Sequence, residues 1–278
     1  MVQRAGGRTP GRPYGSLTPV LPDGPRLRLE ASRQVLRVAM EGGLRVAHQP
    51  VEYLVVAPHP DDAELGMGGT IVKLLRAGKR LAIVDLTGGE PTPHGAPAKR
   101  RRETAASNKV LGLECRLNLG LPNRTLEPTL PARVKLAEVY RTLRPRIVFV
   151  PYWRDAHPDH LAASTLAIHA RFYAKLTKTR MKGEPHYPQR LLFYYCTHLR
   201  IHSDVAFVVD ISAEFTTKMR AVECYRSQFY EGRGRKAGDV VRYVGEANRY
   251  WGRMINRKYG EPFAVQETLG LDGLERIV

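Results

Sequence analysis

The chain has 278 residues, 43% of them hydrophobic, which suits one α/β domain with a sizeable core plus an appendage. The formal net charge is +17, yet there is no zinc finger, no RNP-like aromatic run and no basic helix with interleaved aromatics. Nucleic acid is therefore not the expected partner, and a small anionic substrate accounts better for the basicity. No apolar run nears the ~18 residues of a membrane span, no signal-peptide pattern follows Met1, and Cys115, Cys196 and Cys224 lack C-x-x-C spacing, so a cytoplasmic protein without a disulfide framework is expected.

Residues 1 to about 28 are rich in Pro, Gly and Arg and promise little fixed structure, and Leu29–Glu41 fits helical spacing only loosely. We divide the chain into a basic N-terminal extension, 1–46, and an ordered domain, 47–278. Tyr53–Pro58 is a continuous apolar run of the kind found in buried parallel strands. Gly66–Gly69 leads into a helix, Thr70–Ala77, ended by Gly78. A strand, Arg80–Leu86, and a Gly/Pro-rich loop, Thr87–Ala98, come next. Then follow a helix, Lys99–Leu111, a short strand, Arg116–Leu119, a helix, Pro131–Leu143, and a strand, Arg146–Pro151. The loop Tyr152–Asp159 precedes a helix, His160–Tyr173. Strands at Leu191–Cys196 and Ala206–Ile211 and an amphipathic helix, Phe215–Tyr225, complete the reading. Strand and helix alternate, which means an α/β fold with a mostly parallel sheet covered on both faces.

Two segments carry chemistry: His59-Pro60-Asp61-Asp62 and His157-Pro158-Asp159-His160. Each follows a predicted buried strand. In an open parallel sheet the carboxyl ends of the strands share one edge, where ligands bind. Three histidines and three aspartates can converge there. Zinc takes imidazole nitrogen and carboxylate oxygen, and a spare carboxylate nearby can accept a proton from water. One such segment alone reads equally well as a turn in which Asp caps the next helix. Two, each at a strand end, favour the metal reading. Gly66-Met67-Gly68-Gly69 lacks phosphate-loop spacing and reads as close packing.

The run Ala57-Pro58-His59-Pro60-Asp61-Asp62-Ala63-Glu64, with Gly66–Thr70 after it, resembles the PIG-L/LmbE-like zinc deacetylases, and His157–His160 resembles that family's second motif. Asp85-Leu86-Thr87, the Arg-rich segment ending at Glu103, Leu117–Pro122 and Ser227-Gln228-Phe229 are similar to the bacillithiol-pathway branch, which deacetylates N-acetylglucosaminyl malate. The resemblance implies a Rossmann-like three-layer fold with the metal at the strand ends. It implies one Zn2+ per chain held by His59, Asp62 and His160, with Asp61 as base and His157, paired with Asp159 and protonated or donating, stabilising the tetrahedral intermediate. It also implies Arg100, Arg190 and Tyr243 as substrate-binding residues, and a homo-oligomer. Bland readings stand beside these: Arg100 as one cation of a solvated run, Lys99–Arg102, Arg190 as a surface residue and Tyr243 as core. His94, His169, His186, His198 and His202 are expected to be structural or exposed. The competing functions are deacetylation of another N-acyl amino sugar and a basic binding module without chemistry.

Overall fold

The computed structural model describes residues 50–198, 203–271 and Gly273. The expected extension over 1–46, the loose helix Leu29–Glu41 and His202 lie outside the described residues.

In chain order the elements are β1 (Tyr53–Ala57), α1 (Asp62–Arg76), β2 (Leu81–Thr87), α2 (Pro97–Leu111), β3 (Cys115–Leu121), α3 (Leu130–Leu143), β4 (Ile147–Pro151) and α4 (Pro158–Ala174). They continue as β5 (Arg190–Tyr194), β6 (Val205–Asp210), α5 (Phe215–Glu223), α6 (Arg226–Phe229), α7 (Asp239–Met254) and β7 (Gly260–Ala264). Seven strands form one sheet in the order β3-β2-β1-β4-β5-β7-β6. The first five are parallel, while β7 runs antiparallel between β5 and β6.

The side-chain period of two explains the layers. In β1, Leu54 and Val56 enter a core shared with Leu136 and Tyr140 of α3 and Leu166 of α4. Val55 and Ala57 enter the opposite core with Ile71 of α1 and Phe263 of β7. Both faces of β1 are therefore dry, as its uninterrupted apolar run requires. Among the described residues no helix is long and apolar enough to cross a membrane.

Two features depart from the sequence reading. First, α1 begins at Asp62 rather than Thr70 and runs through Gly66–Gly69, with a break in helical geometry at Met67 (φ −147°, ψ 24°). A Cβ on Gly66 would lie 2.4 Å from Tyr194 and one on Gly69 2.7 Å from Ile211, so the glycines are there for close packing. Glu261 takes up the N–H groups of Gly69 and Thr70 just past the break, at 2.9 and 2.7 Å. Second, α7 and β7 were not anticipated. β7 reads Gly-Glu-Pro-Phe-Ala, a poor strand by composition, yet every residue of it is buried.

Candidate active site

Between β1 and β4 the order of the strands reverses: β2 and β3 lie on one side, β5 on the other. A crevice opens at such a point outside the carboxyl ends. His59 stands two residues past β1, and α1 starts at Asp62. On the neighbouring strand, β4 ends at Pro151 and α4 starts at Pro158, with His157 as its N-cap. Topology thus brings together two segments about a hundred residues apart.

Asp62 Oδ2 lies 3.0 Å from His59 Nδ1 and 3.3 Å from His160 Nε2. The remaining nitrogen of each ring faces a carboxylate: His59 Nε2 is 3.0 Å from Asp159 Oδ2, and His160 Nδ1 is 3.0 Å from Asp155 Oδ2. Metal-bound histidines are oriented in this way, with an outer carboxylate fixing the tautomer so that the inner nitrogen can ligate. His160 Nε2 is buried without a hydrogen-bond partner. Such an atom costs roughly 1–3 kcal/mol if nothing meets it. One donor atom each from His59, Asp62 and His160 lie within 4.8 Å of one another, close enough to share an ion. Two imidazoles and a carboxylate fit a divalent metal.

The adjacent aspartates are pushed in opposite directions. Burial raises the carboxyl of Asp62, but His160 and His59 beside it outweigh burial and hold it well below the usual carboxylate range. For Asp61 burial wins: with the charge of Asp62 it pushes the group up to about 7, against the pull of Arg100. Asp61 also carries a φ of 125°, a conformation that costs a non-glycine residue about 1–3 kcal/mol and clusters at functional sites.

Arg100 is buried, not a solvated member of its basic run. Its Nη1 donates to Asp61 Oδ2 at 2.9 Å and to the Pro60 carbonyl at 2.6 Å, and its Nε donates to Glu90 Oε1 at 3.2 Å. The fork expected to meet substrate is therefore engaged with the aspartate itself. Tyr243, on α7, packs half-buried against the apolar cluster that includes Leu65 and Val222 and lines a narrow cleft that also reaches Cys196. Arg190 lies apart from these residues. It is the first residue of β5, paired in register with Ile147, the first residue of β4. That puts it on the amino edge of the sheet, opposite the crevice, where it is half-exposed and makes a 3.9 Å ion pair with Glu267.

His157 is half-buried at the start of α4. Burial, with His160, His59 and His198 nearby, lowers it to about 4 and outweighs the pull of Asp159. The Asp159 carboxylate serves other partners: besides His59 it accepts the N–H groups of Arg124 and Leu126, at 2.7 and 3.2 Å. The contact between the two residues is the backbone N–H of Asp159 donating to His157 Nδ1 at 3.1 Å. Because Nδ1 accepts, the neutral ring carries its proton on Nε2. His157 is thus a donor without being a cation.

Sequence reasoning missed Asp155. Asp155 lay in view, as a carboxylate in a strand-end loop five residues before His160. His198, expected to be structural or exposed, is exposed, with its ring 5.1 and 5.2 Å from those of His157 and His160.

The model of the family described as PIG-L, GlcNAc-PI de-N-acetylase, matches residues 54–171, which run from β1 into α4. A diacetylchitobiose deacetylase of Thermococcus kodakarensis is 32% identical over 223 residues, 75% of this chain and 80% of the relative. A Bacillus anthracis protein described as a probable N-acetyl-alpha-D-glucosaminyl L-malate deacetylase is 30% identical over 120 residues, 38% of this chain and 53% of the relative. The crystal structure of a conserved protein from Thermus thermophilus shares 42% identity and a TM-score of 0.72, covering 80% of this chain and 97% of that one. Both strand-end motifs fall inside the family match and the likeness extends over most of a deacetylase, so the chain belongs to the PIG-L, GlcNAc-PI de-N-acetylase, family and is an N-deacetylase.

Proposed function

We propose that the protein hydrolyses the N-acetyl group of an N-acetylglucosaminyl conjugate, using one zinc ion held by His59, Asp62 and His160. The observation that carries this reading is the turning of both histidines toward Asp62 by outer carboxylates, with Asp61 left beside the set as a spare base. When bound, a zinc ion would supply Lewis acidity toward the acetyl carbonyl and acidify a water. Asp61 takes the proton of the attacking water. Its carboxyl, pushed up to about 7, is a stronger base than an ordinary aspartate and still largely ionised just above neutrality. Arg100 holds Asp61 Oδ2 and sets its orientation. His157 offers its Nε2–H to the oxygen that gains charge as the carbonyl carbon becomes tetrahedral. Asp61 then returns the proton to the leaving amine, giving acetate and a free amino sugar.

Two aglycones compete. A second sugar, as in diacetylchitobiose, is supported by the longer of the two curated likenesses and by the engagement of Arg100 with Asp61. Malate is supported by the shorter likeness and by the positive charge of the chain. The test is acetate release by zinc-loaded protein from diacetylchitobiose, N-acetylglucosaminyl malate and N-acetylglucosamine, measured side by side. Release from at least one conjugate is expected, and release from none would overturn the reading.

A further inference from the structure

The His160 ring stands between two sets of donors. Its Nε2 faces Asp62, while its Nδ1 lies 3.0 Å from Asp155 Oδ2. On that second side is Cys196, two residues beyond the carboxyl end of β5 and buried. One donor atom from each of Asp155, His160 and Cys196 fall within 4.8 Å of one another. Cys196 joins no such group with His59 or Asp62 among the described residues, so the thiol belongs to this side of the ring.

We propose that Asp155, His160 Nδ1 and Cys196 Sγ form a second, overlapping metal site that takes a thiophilic divalent cation and inhibits the enzyme when metal is in excess. The proposal shares His160 with the zinc set of the functional reading and rests on it for the inhibition alone. Thiolate selects soft or borderline ions such as Zn2+ and Cd2+, whereas the set around Asp62 offers no sulfur. Binding removes the thiol proton and the proton of Nδ1, both of which pass to solvent. It also takes the place of the hydrogen bond from Nδ1–H to Asp155, and with it the contact that orients His160 toward Asp62. Excess metal therefore acts through the outer carboxylate, with no need to enter the substrate crevice.

The experiment titrates zinc-loaded full-length protein with Cd2+, reading the near-ultraviolet sulfur-to-metal charge-transfer band and counting bound ions by equilibrium dialysis. The expected result is a sulfur band that saturates at one equivalent, together with one additional ion per chain. Cys196→Ser, close in shape, removes the band and the extra ion but keeps the first ion and the melting temperature. Cys115→Ser and Cys224→Ser keep the band. Excess Zn2+ inhibits acetate release by the parent protein at least tenfold more strongly than release by Cys196→Ser. Absence of the band from the parent protein, or its survival in Cys196→Ser, overturns the proposal. A chain that shows the band and releases no acetate breaks the functional reading and leaves this site standing.

Discussion

The carboxyl edge between β1 and β4 and the antiparallel end of the sheet both bury charge, but they do so in different ways. At the antiparallel end, Lys218 and Glu261 are wholly buried and meet at 2.6 Å. The Glu261 carboxylate accepts in addition from Gly69 N, Thr70 N and Thr70 Oγ1, so its lone pairs are occupied. At the crevice, His160 Nε2 has no hydrogen-bond partner, Asp61 sits at a φ of 125° and its carboxyl is pushed to about 7. A saturated buried charge holds a helix in place. An unsaturated one is left available for an ion or a proton. Burial is common to both regions, so what separates structure from chemistry here is unused hydrogen-bonding and charging capacity.

The largest effect is expected at Asp61. Asp61→Asn should keep bound metal and lose about 10²–10⁴-fold in kcat, with a melting temperature no lower than that of the parent protein. The carboxyl is raised on folding, so the folded state binds the proton more tightly than the unfolded chain. Stability therefore falls as pH rises from about 4 toward about 7, and Asn removes that cost. Turnover near the parent level in a metal-replete variant would remove Asp61 from the reaction. At the other end, Glu261→Ala should cost about 3–5 kcal/mol in chemical denaturation, because Lys218 is left charged and unpaired in the core. Adding Lys218→Met should restore part of it. Activity per folded molecule should stay within a few-fold, and a large drop in kcat with normal stability would show that the buttress takes part in chemistry.

These two regions were also unequally legible. The crevice is written in short consecutive runs: four residues after β1 and four after β4 contain His59, Asp61, Asp62, His157, Asp159 and His160, and the alternation of strands and helices predicts that they share an edge. The parallel half of the sheet was legible for the same reason, since continuous apolar runs mark doubly buried strands. The antiparallel end depends on partners that sequence spacing does not connect. Lys218 meets Glu261 across 43 residues, and Thr70 meets it across 191. Nothing in Gly-Glu-Pro-Phe-Ala announces a central strand, because its fitness comes from the lysine and the helix packed against it. The wiring of the carboxylates was likewise hidden. The motif places Asp159 next to His157 and His160 in the chain, but which ring its side chain meets is decided by the loop at Arg124 and Leu126.

A smaller effect is expected at Arg100. Its hydrogen bonds go to Asp61, the proposed base, so Arg100→Ala should lower kcat/KM at pH 7 roughly 10- to 100-fold, the range expected for lost hydrogen bonds to a charged group. The sign of the pH effect follows from the charges. Arg100 pulls Asp61 down, so its removal raises that carboxyl further and moves the acidic limb of the rate profile to higher pH. Part of the loss should therefore be recovered in alkaline buffer. Arg100→Lys should restore some of the charge effect but not the second contact, to Pro60. Because the partner is Asp61, neutral and anionic conjugates should suffer alike. A loss confined to the malate conjugate would put Arg100 on the substrate instead.

The smallest effect is expected at Arg190, which differs from Arg100 in every relevant respect. Four strand steps separate it from Tyr194 at the carboxyl end of β5, about 13 Å at 3.3 Å per residue. An arginine side chain directed along the strand would have to cross most of the sheet to reach the crevice. Its contacts are instead with the Gln189 carbonyl at 3.0 Å and Glu267 at 3.9 Å. Arg190 and Glu267 are 44% and 47% exposed, and an ion pair this wet contributes about 0–1 kcal/mol. Arg190→Ala should therefore change kcat/KM by less than about twofold for every conjugate, shift the melting temperature by no more than a few degrees, and lose even that shift in high salt. Acetate release across the three substrates, with melting measured at low and high ionic strength, checks all three expectations. A selective defect toward an anionic conjugate would mean that the amino edge of the sheet reaches substrate in an assembly, since within one chain β5 holds the guanidinium at the far end.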